Sequence, residues 1–119
     1  MAFPVNAEML DFCVLGILEK EDSYGYGITQ KFSDELRVSE STLYPVLRRL
    51  KKHQFLETYD RRYQGRNRRY YKITEKGRER LERYREEWQA FKYMIDNIVT
   101  ADSGPKEKAK ENEGEKYDA

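Results

Sequence analysis

The chain has 119 residues, 38% of them charged, and its net charge is only +1. This length suits one domain with a modest core, and pairing with a second copy is a common way for such a domain to gain stability. A single cysteine excludes an intrachain disulfide, and no apolar run is long enough to span a membrane, so we expect a cytoplasmic protein.

The near-neutral total hides an uneven distribution of charge along the chain. Residues 1–36 have a net charge of −5, residues 37–72 have +8, and residues 73–119 have −2. A centre as basic as this favours an anionic partner, and nucleic acid is the plainest one.

A first helix is predicted over residues 7–20. Asn6 can act as its N-cap, and Glu8 lies in the first turn, where the helix dipole favours an acid. Its apolar residues recur at helical spacing and predict one buried face, formed by Leu10, Cys13, Val14, Ile17 and Leu18.

A second helix is predicted over residues 23–36, with Ser23 as its cap. Its apolar residues step by four and are Tyr24, Ile28, Phe32 and Leu36. Gly25 and Gly27 weaken a helix intrinsically, so their presence predicts that another element packs closely against them.

A third helix is predicted over residues 40–53, capped by Ser39. Its core stripe consists of Leu43, Val46, Leu47 and Leu50. Pro45 lies inside this pattern and would normally kink a helix, so a helix start later than Ser39 remains an alternative.

The hydrophobic period then changes from helical to strand-like. Residues 55–62 and 68–73 are predicted to form two strands of a β-hairpin, joined by a turn over residues 64–67. Gly65 and Asn67 supply the residue types that adopt unusual φ angles in such turns.

The last helix is predicted over residues 75–100, with Thr74 as its cap. Its apolar residues alternate in steps of three and four and form a seam that suits a partner helix: Leu81, Tyr84, Trp88, Phe91, Ile95 and Ile98. Residues 101–119 contain almost no apolar side chain, which predicts a disordered tail. The expected organisation is therefore an N-terminal domain over residues 1–74, a dimerisation helix over residues 75–100, and a disordered tail over residues 101–119.

Three helices followed by a hairpin is the element order of a winged helix-turn-helix domain, in a fold that is mainly α with a small β-hairpin. In that design the third helix enters the major groove of DNA, and the hairpin, or wing, reaches the neighbouring backbone. The residues predicted to contact double-stranded DNA are Ser39, Ser41, Thr42, Tyr44, Pro45, Arg48, Arg49, Lys52, Arg62, Arg66, Asn67 and Arg68.

Several arginines crowd the wing, and their mutual repulsion would be relieved by adjacent phosphates. The alternative is a simple solvated turn, which is what most charge runs form. The basic third helix in the same stretch favours contact with DNA.

Three motifs resemble the PadR family of transcriptional regulators. Tyr24–Ile28 resembles the start of that family's second helix, and Ser41–Leu50 resembles its recognition helix. Gly65–Arg69 and Tyr70–Gly77 resemble its wing and the opening of its last helix. The likeness covers roughly residues 8–100, with the motifs in the family's order.

The resemblance implies a homodimer, usually a repressor, which a small molecule releases from DNA in some members. The family pattern has proline at the place of Pro45, which eases the conflict with a continuous helix. A glycine often stands where this chain has Ser41, and we expect little consequence. The last helix resembles the short, single-helix form of the family.

Trp88 lies in the middle of the seam, near Tyr84 and Phe91. The favoured interpretation is that it forms part of a dimer core. The sharper interpretation is an aromatic pocket at the dimer interface that binds a flat, apolar effector, as a tryptophan from each chain does in some relatives.

No catalytic or metal site is predicted. His53 is the only histidine, so it and Cys13 cannot supply a zinc site, and no catalytic triad is credible. We therefore expect no enzyme and no cofactor. The alternative to a DNA-binding regulator is a winged helix that binds an acidic protein partner and prefers no duplex.

Overall fold

The computed structural model describes residues 6–100. Its elements are α1 Ala7–Lys20, β1 Ser23–Tyr24, α2 Gly25–Lys31, α3 Glu40–Lys52, β2 Leu56–Tyr63, β3 Arg66–Ile73 and α4 Glu75–Val99. The strands form one antiparallel sheet in the order β1-β3-β2. The fold is mainly helical with a small sheet, as predicted, and β1 is a strand that the sequence did not predict.

α1 begins as predicted, because the Asn6 side chain accepts a hydrogen bond of 2.9 Å from the backbone N–H of Met9. Its buried face is rotated from the expected one. Leu10, Val14 and Leu18 are buried as predicted, together with Asp11 and Leu15, whereas Cys13 and Ile17 are only half-buried. A carboxylate therefore lies on the inner face of this helix.

α2 is much shorter than predicted. Ser23 does not cap it, because Ser23 and Tyr24 pair with Tyr71 and Tyr70 of β3 and form the third strand. The helix ends at Lys31, and Leu36 lies in the loop that follows. Ser33 accepts hydrogen bonds from the Leu36 N–H through both its backbone and its hydroxyl oxygen, a local turn that competes with helix.

α3 begins at Glu40, where the Ser39 hydroxyl accepts from the Thr42 N–H at 3.2 Å. The helix continues through Pro45. The proline removes the donor that would reach the Ser41 carbonyl, and both residues are exposed, so solvent can satisfy that oxygen. The alternative of a later helix start is therefore wrong.

α3 ends at Lys52, and two residues later Gln54 adopts the left-handed conformation, with a φ of 67°. The N–H of Phe55 donates to the Leu50 carbonyl at 2.9 Å, and that of Gln54 donates to the Lys51 carbonyl at 2.9 Å. These two bonds form a Schellman motif, which turns the chain sharply into β2.

The wing is tighter than predicted. Tyr63 pairs with Arg66, so the turn consists of Gln64 and Gly65 alone, with φ angles of 52° and 77°. Two consecutive positive φ angles are typical of a type I′ turn, whose twist matches the flanking strands. Asn67 was expected in the turn and lies in β3.

The start of α4 packs on the short connection between α3 and β2. Thr74 caps it as predicted, since its hydroxyl accepts from the Gly77 N–H at 3.0 Å and donates to the Gln54 carbonyl at 2.7 Å. A Cβ on Gly77 would lie 2.2 Å from the Phe55 carbonyl oxygen, so only glycine allows this approach.

The intrachain contacts divide the described chain between Arg85 and Glu86. α4 as far as Arg85 thus belongs with the winged-helix elements, whereas the sequence placed the whole of residues 75–100 in a separate dimerisation helix. The predicted tail, residues 101–119, lies outside the described residues. None of the helices within residues 6–100 is long and apolar enough to cross a membrane.

Candidate nucleic-acid interface

α3 has one buried and one exposed face. The predicted stripe of Leu43, Val46, Leu47 and Leu50 is at most 3% exposed. The opposite face is open to solvent and carries hydroxyl and cationic groups, namely Ser41, Thr42, Tyr44, Arg48, Lys51 and Lys52. Such groups suit phosphate oxygens and the acceptor edge of guanine. Lys51 belongs to this face and was missed at the sequence level.

The start of α3 forms a cluster of three hydroxyl groups. The Ser39 hydroxyl lies 3.1 Å from the Ser41 hydroxyl oxygen and donates to the Thr42 hydroxyl oxygen at 3.1 Å. All three residues are exposed. Ser39 is occupied as the helix cap, so Ser41 and Thr42 have the greater capacity for an additional partner.

Tyr44 connects α3 to α2. A Cβ on Gly25 would lie 2.6 Å from the Tyr44 hydroxyl oxygen, so glycine is required for the ring to rest there. This confirms the expected close packing against Gly25. In the case of Gly27, the neighbours are Ser23 and Tyr24, with the Ser23 hydroxyl 2.4 Å from an added Cβ. The Tyr44 side chain keeps 39% of its surface exposed.

Arg49 was predicted to contact DNA, and in the structure its side chain is paired with a residue of α1. Its guanidinium forms an ion pair with the carboxylate of Asp11, a residue that is only 9% exposed. The same carboxylate accepts a hydrogen bond of 3.4 Å from the Tyr84 hydroxyl of α4. Because a nearly buried carboxylate needs a partner, Arg49 serves the fold and is not a free cation.

Every wing arginine except Arg68 is exposed to solvent. Arg62 and Arg66 are exposed near the turn, and Arg62 donates to the Gly65 carbonyl at 3.2 Å. Asn67 is exposed opposite Arg62 in the hairpin register. All three side chains are accessible from solvent, which the predicted contact with a DNA backbone requires.

Arg68 differs from its neighbours because aromatic rings enclose it. Its guanidinium carbon lies 3.9 Å from the centre of the Tyr24 ring and 3.8 Å from that of Tyr63. It also donates to the Tyr70 hydroxyl at 3.4 Å, and this bond lowers the pKa of Tyr70 below its usual range. Arg68 is half-buried. Arg68, which was predicted to contact DNA, thus already has three tyrosine partners within the domain.

A groove of about 460 Å³ separates α3 from the wing. Its lining combines tyrosines of β1, α2, α3 and β3 with polar and charged residues of β3: Tyr24, Tyr26, Tyr44, Tyr71, Asn67, Arg68 and Arg69, together with Gly25 and Glu40. Arg69 pairs with Asp60 of β2 at 3.3 Å. A second, cationic recess at the end of α3 is lined by Arg48, Arg49, Lys51, Lys52 and His53.

The predicted dimerisation seam does not start where it was expected. Leu81 is fully buried in the chain's own core, so it cannot contact a partner. Tyr84 is half-buried and packs on Phe12, with ring centres 5.7 Å apart. Beyond Arg85 the seam residues that stay exposed are Phe91, Ile95 and Ile98, joined by Tyr93, Met94 and Val99.

The predicted effector residues lie in different parts of the chain. Trp88 and Phe91 contact each other beyond Arg85, with ring centres 6.4 Å apart. Tyr84 belongs to the winged-helix part. Residues 6–100 contain no cluster of metal-ligating side chains.

Asp11, Tyr24 and Tyr63 take part in this arrangement and were missed as candidate residues. Asp11 could have been found, because a carboxylate that falls on the apolar face of a helix requires a cationic or hydroxyl partner. Tyr24 and Tyr63 carried no such signal, since their contacts depend on strand pairing.

The region from Val14 to Arg83 matches the family model described as the transcriptional regulator PadR-like family, residues 14–83. A crystallised protein of Streptococcus mutans UA159 is 42% identical, with a TM-score of 0.78 over 85% of this chain and 95% of its own. A PadR-like transcriptional regulator of Bacillus cereus is 32% identical, with a TM-score of 0.73 over 80% of this chain and 95% of its own.

Bacillus subtilis PadR, whose structure is a complex with operator DNA, is 28% identical with a TM-score of 0.57. That match covers 63% of this chain and 46% of the Bacillus subtilis protein.

Proposed function

The chain belongs to the PadR-like family of transcriptional regulators, and on this premise we propose that it is a cytoplasmic, homodimeric repressor that binds a specific operator in double-stranded DNA. The observation that carries the proposal is the exposed face of α3, where Ser41, Arg48 and Lys52 stand opposite a fully buried stripe. Proteins of this family are transcription regulators, not enzymes.

In the proposed complex α3 lies in the major groove and Arg48 reads a guanine edge. The exposed wing arginines, Arg62 and Arg66, contact phosphates. The operator complex of Bacillus subtilis PadR supports DNA as the partner. A dimer would place two α3 helices in successive major grooves, so the operator is a pseudo-palindrome.

The proposed dimer uses α4 beyond Arg85. Phe91, Ile95 and Ile98 are 53%, 39% and 77% exposed, and they repeat at the spacing of a helix pair. Solvated apolar side chains in such a row favour association with a second copy. Trp88 lies in the same row, one turn before Phe91.

A small aromatic effector that releases the DNA is the finer part of the proposal. Trp88 and Phe91 support it, since two neighbouring rings near a dimer interface suit a flat ligand. Trp88 is the only tryptophan, so its fluorescence reports on the site directly. If a panel of phenolic acids and planar aromatic compounds leaves that fluorescence unchanged, the effector is contradicted.

The experiment that tests the function is a fluorescence-anisotropy titration. The duplex comes from upstream of the protein's own gene, a scrambled duplex is the control, and the salt concentration is varied. We expect tight binding to the upstream duplex only, which weakens steeply with salt. Weak and equal binding to both would favour the alternative of a winged helix that binds an acidic protein.

Two variants separate the proposed roles. Arg48→Ala should weaken binding to the specific duplex by roughly 10- to 100-fold and the scrambled duplex much less. Arg66→Ala should weaken binding to both duplexes. The slope of log affinity against log salt should become shallower by about 0.9 for each phosphate contact that is lost. Arg83→Ala, an exposed arginine of α4, is the matched control that should change neither.

A further inference from the structure

The outer face of the sheet carries a layer of tyrosine and arginine side chains. The register places Tyr59 opposite Tyr70, Arg61 opposite Arg68, and Tyr24 opposite Tyr70, so these side chains share one face. Leu56 and Ile73 pair on the other face, which packs on the core. The tyrosine–arginine layer, consisting of Tyr24, Tyr59, Tyr63, Tyr70, Arg61 and Arg68, is therefore separate from the core.

Arg68 holds the middle of this layer. The ring centres of two tyrosines lie within 4 Å of its guanidinium carbon, Tyr24 at 3.9 Å and Tyr63 at 3.8 Å. Its contact with the Tyr70 hydroxyl uses one of the edge donors. A planar guanidinium stacks on rings in a way that a lysine ammonium does not reproduce.

The two rings belong to different parts of the domain. Tyr63 is the last residue of β2, next to the wing turn, and Tyr24 is the N-cap of α2. Gly25 follows Tyr24, and the Tyr44 ring of α3 rests on it. Contacts therefore run from the wing tip through Arg68 to the start of α2 and on to the proposed recognition helix.

We propose that Arg68 is a positioning residue, which fixes the wing relative to α3 through Tyr63 and Tyr24, and that it does not bind phosphate. This inference rests on the proposed function in one respect, because its effect on affinity requires that the protein bind DNA. Its effect on the wing itself is independent of DNA.

The salt dependence of DNA binding distinguishes positioning from phosphate contact. Arg68→Gln should weaken binding at least tenfold with the same slope of log affinity against log salt as the wild type. Arg66→Gln, the matched control in the same strand, should make that slope shallower. If Arg68→Gln makes the slope as shallow as Arg66→Gln does, Arg68 binds phosphate and the proposal is overturned.

Arg68→Lys gives a second comparison. It keeps the charge and loses the planar stack, so we expect it to bind DNA as weakly as Arg68→Gln does. Affinity close to that of the wild type would mean that charge alone is needed, which contradicts positioning.

Amide hydrogen exchange in the free protein tests the wing without DNA. Arg68→Gln should speed exchange of the amides over residues 66–70 at least tenfold and leave the core amides of α1 unchanged, whereas Arg66→Gln should speed neither. Tyr63→Leu should reproduce the effect of Arg68→Gln. Unchanged exchange in Arg68→Gln overturns positioning. If the wild type binds no duplex, the proposed function fails while this result still decides the role of Arg68.

Discussion

The two parts of α4 carry the same apolar spacing and differ in what surrounds it. Before Arg85, Leu81 is fully buried among the chain's own helices and Tyr84 packs on Phe12. After Arg85, Ile95 and Ile98 are 39% and 77% exposed. One continuous helical pattern thus serves an intrachain core at its start, and in our proposal a partner chain at its end.

The difference shows why a spacing of three and four is an incomplete description of a helix. The pattern states that a face is apolar, and it does not state which surface covers that face. Here the winged-helix core already covers Leu81. The apolar residues beyond Arg85 are exposed, and in our proposal a second copy of the chain covers them.

The largest effect on the free energy of unfolding is expected from a substitution of Leu81. Leu81→Ala should lower the free energy of unfolding by about 2–5 kcal/mol, because it leaves a cavity in a fully packed core. Urea unfolding at several protein concentrations measures this. The matched control is Ile98→Ala, which should remove only a dimer contact. Its cost in free energy of unfolding should vanish at low protein concentration, because the wild-type dimer is then already dissociated. An Ile98→Ala effect that is large and independent of concentration would abolish the distinction between the two parts.

The next effect is expected at Asp11, which joins α1, α3 and the first part of α4. Asp11→Asn should lower the free energy of unfolding by about 1–3 kcal/mol, since it removes the charge that the Arg49 guanidinium pairs with. Glu21→Gln breaks an exposed pair with Lys31 and is the control, with an expected cost below about 1 kcal/mol. Equal costs for the two variants would show that the Asp11 pair is no more than a surface contact.

A charge introduced among the exposed apolar residues of α4, Phe91, Ile95 and Ile98, should weaken dimerisation and leave the fold of each chain intact. Ile95→Glu should raise the dimer dissociation constant at least tenfold, about 1.4 kcal/mol, because a desolvated carboxylate would face the partner helix. Sedimentation equilibrium measures the constant. Gln89→Glu adds the same charge to the same helix outside the row and should leave it unchanged. An unaltered constant in Ile95→Glu would remove α4 from the proposed interface.

The smallest effect is expected at Tyr84. Tyr84→Phe loses one hydrogen bond of 3.4 Å to Asp11, so the free energy of unfolding should fall by about 0.5 kcal/mol near neutral pH. Burial, together with the Asp11 charge, raises the pKa of Tyr84 above the usual tyrosine value.

The raised pKa gives this variant a pH signature. The folded state holds the Tyr84 proton more tightly than the unfolded state does, so its contribution is complete below the unfolded pKa of about 10 and is lost as pH rises through the folded pKa. Thermal unfolding between pH 8 and 11 should therefore show a smaller alkaline loss of stability in Tyr84→Phe than in the wild type. An identical loss would place the alkaline sensitivity at other tyrosines.

Much of the candidate interface could be predicted from the sequence because its signals are local. Exposure of Ser41 and Arg48 follows from the apolar stripe on the other side of α3, since a helix that buries one face must expose the opposite one. Arg62 and Arg66 are exposed for another reason, because they lie close to the predicted turn at the tip of the hairpin, far from the residues that pack on the core. Arg49 and Arg68 could not be separated from them, because an arginine has the same charge whether a carboxylate, an aromatic ring or a phosphate lies beside it.

By itself the sequence determined the order of helices and hairpin, the caps at Asn6, Ser39 and Thr74, and the basic centre of the chain. These depend on periodicity, on neighbouring backbone groups and on composition. Only the tertiary structure decided that Ser23 and Tyr24 form a strand, that Leu81 belongs to the core, and that Asp11 holds Arg49. Each of these needs residues far apart in the chain to meet, and their meeting is fixed by how the helices and the sheet pack on one another.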